Sequence, residues 1–395
     1  MNDGTPSCPT PGDEVVGTSR LPGVGTTIFT VMSRLATEHR AVNLGQGFPD
    51  FDCEPGLQRL VGEEMAAGRN QYAPMAGVPA LREAVSEKIA RRDGIRYDPE
   101  REITITAGAT QALLTAVLAA MQPGDEAIQL EPAYDSYAPS VELAGGRLVP
   151  VPLDHARGYS VDWDRVRAAI TPRTRLLFLN SPHNPTGALL SRADLETLAS
   201  ILEGTRVLVV SDEVYEHIVF DGHRHASVSS VPALAARAFV VSSFGKTYHC
   251  TGWKIGTCCA PAALMAEFRK VHQFNVFAVN HPVQSALARW MRESDSAETL
   301  PAFYQEKRDH FVAGLARTRF RSLATSGSYF VLADYSAISS EPEEAFARRL
   351  VIEHGVATIP VAPFYRTPFN HRLVRFCFGK RLETLDAALE RLAGT

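Results

Sequence analysis

From Ile103 onward the chain alternates short apolar runs with stretches of helical periodicity. The runs are Ile103–Thr106, Ala127–Leu130, Leu176–Leu179, Val207–Val210 and Phe239–Val241. Near-continuous apolarity is expected of strands covered on both faces, and intervening helices favour parallel pairing. The middle of the chain therefore predicts an α/β layer domain, in which ligands gather outside the carboxyl ends of the strands. The last third changes character. Leu382, Leu385, Leu389 and Leu392 share one helix face, while Ser328–Leu332 and Leu373–Phe376 read as short strands, so a smaller α+β domain is expected there. The predicted division is a disordered tail over 1–20, an N-terminal arm with part of the small domain over 21–55, a large domain over 56–290 and a small C-terminal domain over 291–395. Pro22–Thr27 is glycine-rich but follows no strand and lacks the third glycine of a dinucleotide loop, so it reads as a turn.

Composition narrows the class. The chain has 395 residues, 45% of them apolar, and no low-complexity tract, as expected of an ordered enzyme-sized protein. No apolar stretch approaches membrane-spanning length, and the first twenty residues lack the hydrophobic centre of a signal peptide; the expectation is a cytoplasmic protein without membrane contact. A net charge of -4 with scattered Lys and Arg argues against nucleic acid as a partner. Cys8, Cys53, Cys250, Cys258, Cys259 and Cys377 show neither a paired framework nor metal spacing, and read as reduced thiols with no metal site.

The polar residues that follow the apolar runs carry the candidate chemistry. Lys246 lies in Ser242-Ser243-Phe244-Gly245-Lys246-Thr247-Tyr248-His249, directly after Phe239–Val241. A lysine partly desolvated at a strand end can lose its proton and attack an aldehyde; one that exits to solvent cannot, and the local sequence alone admits both. Gly108-Ala109-Thr110-Gln111 follows Ile103–Ala107 and opens a helix, leaving backbone N–H groups that suit a phosphate, although a plain cap by Thr110 would use the same residues. Asn184 sits in the proline-punctuated loop Asn180–Gly187, which turn formation alone could also explain. Asp212 ends the run Val207–Val210, where a buried carboxylate needs a cationic partner, from a ligand or from a neighbouring arginine.

The combination resembles a known pattern. Asn184 in N-P-T-G, Asp212 and Tyr215 in D-E-V-Y, Lys246 in S-F-G-K-T, Trp253-Lys254-Ile255-Gly256 and Arg375 in V-R-F resemble the class I/II pyridoxal-phosphate aminotransferases of fold type I, in order and in spacing. Asn43–Phe51 narrows the resemblance to the kynurenine aminotransferase and glutamine transaminase K group, and Gln71–Met75 with Gly245–His249 to bacterial methionine aminotransferases within it. The fold implied is an α/β large domain, built on a mostly parallel seven-stranded sheet sandwiched by helices, with a smaller α+β domain. Pyridoxal 5'-phosphate is the implied cofactor. By this resemblance Lys246 bonds it covalently and then acts as the general acid and base, Asp212 pairs with its ring nitrogen, and Asn184 and Tyr215 reach its phenolic oxygen. Tyr134 stacks on the ring, though a core aromatic is the alternative. Gly108, Ala109, Thr110, Ser243 and Lys254 hold the phosphate, with Tyr72 reaching in from a second subunit of a homodimer. Lys254 departs from the wider family, where arginine is usual, and offers a point charge in place of a planar fork.

For the substrate, Arg375 is expected to clamp the α-carboxylate with help from the Gly47 backbone and Asn184. Phe29, Tyr72 and Phe277 are expected to line the side-chain pocket, and Phe274–His281 contains no arginine to bind a second carboxylate. The expected reaction moves the amino group of methionine, other large apolar or aromatic amino acids, or glutamine to a 2-oxo acid. One alternative is β-elimination from cysteine S-conjugates on the same scaffold. A second is a non-catalytic cofactor-binding regulator domain; such proteins carry a fused basic helix-turn-helix segment, for which the N-terminal tail here reads as too short and insufficiently basic.

Overall fold

The runs read as strands are strands, and their side chains explain why the apolarity is continuous. In the computed structural model, which describes residues 18–367 and 369–395, the strand Thr174–Asn180 sends Leu176 and Phe178 into one core layer and Leu177 and Leu179 into another. Leu208–Asp212 and Ala238–Ser243 divide in the same way, with Val210 and Phe239 on one face and Val209 and Val240 on the other. Period-two alternation places helices against both faces, so neither face can be polar. The helices Ala109–Ala120 and Ala262–Asn275 cover one face through Leu113, Val117 and Phe268; Pro79–Asp93 and Arg192–Leu202 cover the other through Leu81, Val85, Leu195 and Leu198.

The sheet has seven strands, in the order Ile103–Thr106, Gly256–Cys259, Ala238–Ser243, Leu208–Asp212, Thr174–Asn180, Glu126–Glu131, Arg147–Pro152. All neighbours pair in parallel except Gly256–Cys259, which is antiparallel to the strand on each side. That strand and Arg147–Pro152 are absent from the apolar runs, because Gly256 and Thr257 are not apolar and Arg147–Pro152 is an edge strand with mostly half-buried or exposed residues. Register then places the chemistry. Asn180 lies opposite Asp212, Asp212 opposite Val241, Ser243 opposite Gly256, and Gly256 opposite Thr106. Asp212 at its strand end and the loops bearing Asn184, Lys246, Lys254 and Gly108 therefore stand side by side at one edge of the sheet.

A second layered unit sits over that edge. Its antiparallel sheet runs Ile359–Pro360, Leu373–Cys377, Phe330–Asp334, Arg321–Ser322, while Val42–Asn43 from the N-terminal segment pairs in parallel with Val356–Ala357. Leu385 and Leu392 of the helix Leu382–Leu392 are buried with Phe311, Leu350, Val374 and Phe376 in one core, and Leu389 packs on it. No helix among the described residues is long and apolar enough to cross a membrane. Most of the tail expected over 1–20, and Cys8 with it, lies outside the described residues; Cys53, Cys250, Cys258, Cys259 and Cys377 are buried and free.

Candidate active site

A cleft of about 350 Å³ opens between the two sheets. Its lining includes Phe29, Gly47, Gly108, Ala109, Thr110, Tyr134, Asn184, Asp212, Tyr215, Ser243, Lys246, Lys254 and Arg375. Of the residues expected to bind cofactor or substrate, Tyr72 and Phe277 lie outside it. Tyr72 is 81% exposed and rests edge-on against the exposed Phe277 at 5.2 Å, in a loop whose Gln71 carbonyl lies 3.0 Å from His281 Nδ1.

Lys246 sits in the single helical turn Phe244–Thr247 that follows Ala238–Ser243, and its side chain points into the cleft rather than to solvent. Nζ donates to the Gly47 carbonyl at 2.9 Å and to the Tyr329 hydroxyl at 2.8 Å. Burial pushes its pKa down from 10.5 to about 8, with the positive charges of Arg375 and Lys254 acting in the same direction. A measurable neutral fraction is thereby present near neutral pH, as a nucleophilic lysine requires.

Asp212 is 4% exposed. Its Oδ2 accepts from Tyr137 at 2.7 Å, and Tyr137 is itself fixed by stacking on Phe178 at 4.9 Å. Burial raises the Asp212 pKa from 3.8 to about 6, against the lowering effects of Tyr137, the Val214 N–H and Lys246. Among the described residues it forms no ion pair within salt-bridge distance, so the carboxylate suits a cationic ligand atom. The adjacent Glu213 and Glu216 point away from the cleft to His225, Lys88 and Arg92, anchoring the turn that carries Asp212 and Tyr215.

Arg375 is 1% exposed and spans the cleft. Nη1 donates to Asn184 Oδ1 at 2.7 Å and Nη2 to the Gly45 carbonyl at 3.0 Å, while Nε has no partner. The guanidinium lies 3.9 Å above the Phe330 ring and 5.2 Å from that of Phe29. An unpartnered donor at a buried cation fits an incoming carboxylate.

At the opposite wall the helix Ala109–Ala120 begins at Gly108, with φ 78° and no side-chain cap. The alternative in which Thr110 merely caps this helix is not what forms. Lys254 holds the left-handed region at φ 57°, which brings its amine to the cradle: a Cβ on Gly108 would stand 3.3 Å from Lys254 Nζ. Free helix-start N–H groups, a lysine and the absence of a side chain between them suit a phosphate. The carboxylate, the amine, the buried guanidinium and this cradle fit pyridoxal phosphate and an amino-acid carboxylate together.

Sequence reasoning missed Tyr137, Tyr329, Thr251 and Asp135. Thr251 and Asp135 line the cleft; Tyr137 and Tyr329 stand behind Asp212 and Lys246. Tyr137 carried a faint signal, three residues after Tyr134 at the start of a helix. Tyr329 carried none, because it reads as the apolar edge of a strand.

Residues 40–392 match the family described as aminotransferase class I and II. The chain is 50% identical to the methionine aminotransferase of Escherichia coli, covering 95% of this chain and 97% of that one. A solved Escherichia coli structure with a methionine aminotransferase function superposes with a TM-score of 0.94 at 49% identity, over 96% of this chain and 99% of that one. The probable N-succinyldiaminopimelate aminotransferase of Mycobacterium tuberculosis is 42% identical, over 95% and 97% of the two chains. Human kynurenine–oxoglutarate transaminase 1 is 34% identical, over 94% and 96%. Likeness of this degree along nearly the full length of each partner makes the chain a member of the class I and II aminotransferases, enzymes that work with pyridoxal phosphate.

Proposed function

We propose that this aminotransferase takes its amino group from methionine, or secondarily from another large apolar or aromatic amino acid or glutamine, and passes it to a 2-oxo acid in a ping-pong cycle. One observation carries the choice of donor. Phe29, Phe48, Leu113, Tyr134 and Phe330 line the cleft, and among the described residues of this chain Arg375 is the one arginine in the lining, which leaves no second guanidinium there for a side-chain carboxylate. Asp135, also in the lining, opposes such a carboxylate further. The 50% identity to a methionine aminotransferase supports the same reading.

The cofactor, when bound, supplies an aldehyde that captures the amine and a ring that accepts the electron pair of the breaking Cα–H bond. The chain's residues do the rest. Lys246 Nζ would hold the cofactor through its aldehyde and, once freed by the substrate amine, would serve as the base that takes the substrate Cα proton and as the acid that returns it. Asp212, kept in place by Tyr137, would pair with the ring nitrogen; two unit charges about 4 Å apart at an effective dielectric of roughly 20 would attract by about 4 kcal/mol, which would offset the burial of the carboxylate. Asn184 accepts from Arg375 through Oδ1, which leaves Nδ2 to donate to the phenolic oxygen beside the Tyr215 hydroxyl. Tyr134, in the cleft lining and edge-on to Tyr137, would lie against the ring. The Ala109 and Thr110 N–H groups beside Gly108, with Ser243 and Lys254, hold the phosphate. Arg375 grips the substrate carboxylate with the Gly47 backbone and Asn184.

The exposed position of Tyr72 supports a homodimer in which Tyr72 of the partner subunit completes the phosphate site. Five buried, free cysteines support a reducing, cytoplasmic setting. The deciding experiment is an absorbance titration of the loaded enzyme with a panel of amino acids. Methionine is expected to discharge the cofactor fastest; aspartate outpacing methionine refutes the donor assignment.

A further inference from the structure

The Lys246 amine is held by two groups that belong to neither its own loop nor its own sheet. Gly47 lies in the N-terminal segment and Tyr329 directly precedes the small-sheet strand Phe330–Asp334. Nζ donates 2.9 Å to the Gly47 carbonyl and 2.8 Å to the Tyr329 hydroxyl, and that hydroxyl in turn donates 2.5 Å to the same carbonyl. We infer that Tyr329 is a positioning residue which, with the Gly47 carbonyl, holds the Lys246 amine whenever that amine carries no bond to the cofactor.

Three observations carry the inference. Tyr329 is 0% exposed, with its ring packed edge-on against Tyr215 at 5.0 Å and Phe330 at 4.9 Å, so the hydroxyl is fixed in space. A phenol so deeply buried needs its hydroxyl satisfied, and here it accepts from the lysine and donates to the lysine's other partner, with the Tyr215 hydroxyl alongside as a further hydrogen-bonding neighbour. Lysine also has a long flexible stem, so without a holder the amine released by the substrate would lose its aim at the reacting carbon. Burial and the neighbouring Tyr215 and Cys377 keep the Tyr329 proton in place well above neutral pH, so the hydroxyl positions the amine and does not act as a base.

The hydroxyl also sets the protonation of Lys246. Accepting a hydrogen bond favours the ammonium, so Tyr329 restrains the downward pull of burial. The other groups facing Nζ are Asp212 and Cys377, which favour the charged form, and Arg375 and Lys254, which disfavour it; Tyr215 adds its ring 5.6 Å away. Tyr329→Phe keeps the ring and removes the hydroxyl, both as the acceptor for Lys246 and as the donor to the Gly47 carbonyl.

The test uses the full-length chain freed of cofactor, with the fold verified by circular dichroism. The rate of reductive methylation of Lys246 by formaldehyde and cyanoborohydride is followed by mass spectrometry as a function of pH. The wild-type midpoint is expected at about 8. Y329F is expected to lower it by about one unit, the size of one hydrogen bond to a charged group. In the loaded enzyme, kcat should fall about tenfold while KM for the amino donor stays within about twofold, because the Arg375 clamp is untouched. A midpoint that is unchanged or raised overturns the inference, since a purely structural tyrosine would leave it in place. The inference rests on Lys246 being the cofactor-bearing amine. A borohydride label recovered on another residue would undo that reading separately, without bearing on the shift measured at Lys246.

Discussion

The Arg375 guanidinium donates to Asn184 Oδ1 across 2.7 Å, so a strand of the small sheet and a loop of the large one are joined across the cleft that both residues line. The same bond orients the Asn184 amide. Asn184→Ala should therefore affect both partners: the buried guanidinium loses an acceptor and the cofactor loses a donor. Leaving a buried charged donor unpaired costs about 1–3 kcal/mol, so KM for amino donors should rise about tenfold and kcat should fall, both read from steady-state kinetics. Arg375→Lys should raise KM further while leaving the affinity for pyridoxal phosphate within about twofold, as fluorescence titration would show.

Asp212 makes the cofactor-free chain sensitive to pH. Its folded pKa of about 6 exceeds the reference value of 3.8, so across that window the native state holds more protons than the unfolded one. Stability then falls as pH rises from about 4 to 6 and stays lower above it, by about 3 kcal/mol. Asp212→Asn should raise the thermal midpoint of the cofactor-free chain at pH 7.5 and leave it little changed at pH 4. The same variant should lose at least about a hundredfold in kcat, because the ring nitrogen loses its counter-charge. Thermal melts of the two proteins at both pH values check the sign.

Lys254 and Gly108 should act on cofactor affinity. A charge-assisted hydrogen bond contributes about 1.5–3 kcal/mol, so Lys254→Ala should weaken pyridoxal phosphate binding by about 10- to 100-fold. Gly108→Ala puts a methyl 3.3 Å from Lys254 Nζ at a φ of 78°, and should weaken binding even though the lysine is retained. Equilibrium dialysis of each variant separates the two effects.

Asp135 should act on donor choice. It lines the cleft, and burial raises its pKa above the usual aspartate value against the lowering effect of the nearby Arg375. Asp135→Asn removes a negative charge from a wall that an aspartate or glutamate side chain would face. The ratio of kcat/KM for glutamate over methionine should rise by about tenfold, and an unchanged ratio would place Asp135 outside the specificity of the site.

Gly187 should matter for stability. It has a φ of 72°, and a Cβ there would come within 1.8 Å of Thr325 Oγ1 and 2.9 Å of the Gly327 carbonyl. Gly187→Ala should cost about 2 kcal/mol or more and distort the loop that carries Asn184. Denaturant unfolding is expected to show a lowered midpoint with an unchanged slope.

Much of this was legible in the chain itself because the relevant physics is local. Leu176–Leu179 and Val207–Val210 announce doubly covered strands, since each residue alternates into one of two apolar layers. Lys246, Asp212, Asn184 and Gly108 stand at or just beyond the ends of such strands, so they were identifiable as residues gathered at one sheet edge. Arg147–Pro152 and Gly256–Cys259 were not legible: one is a half-exposed edge strand, and the other takes its place from pairing antiparallel with strands distant in sequence.

By itself, then, the sequence determined which residue types stand at the ends of the strands, and hence the aldehyde, carboxylate and phosphate chemistry they can support. The tertiary structure alone decided which groups set their charge and aim. Tyr137 beneath Asp212, Tyr329 and Gly47 around Lys246, and Asn184 against Arg375 are contacts between residues 75, 83, 199 and 191 positions apart. Hydrogen bonds and desolvation act over a few ångströms in space, and separations of that length along a chain leave no periodic trace from which they could be read.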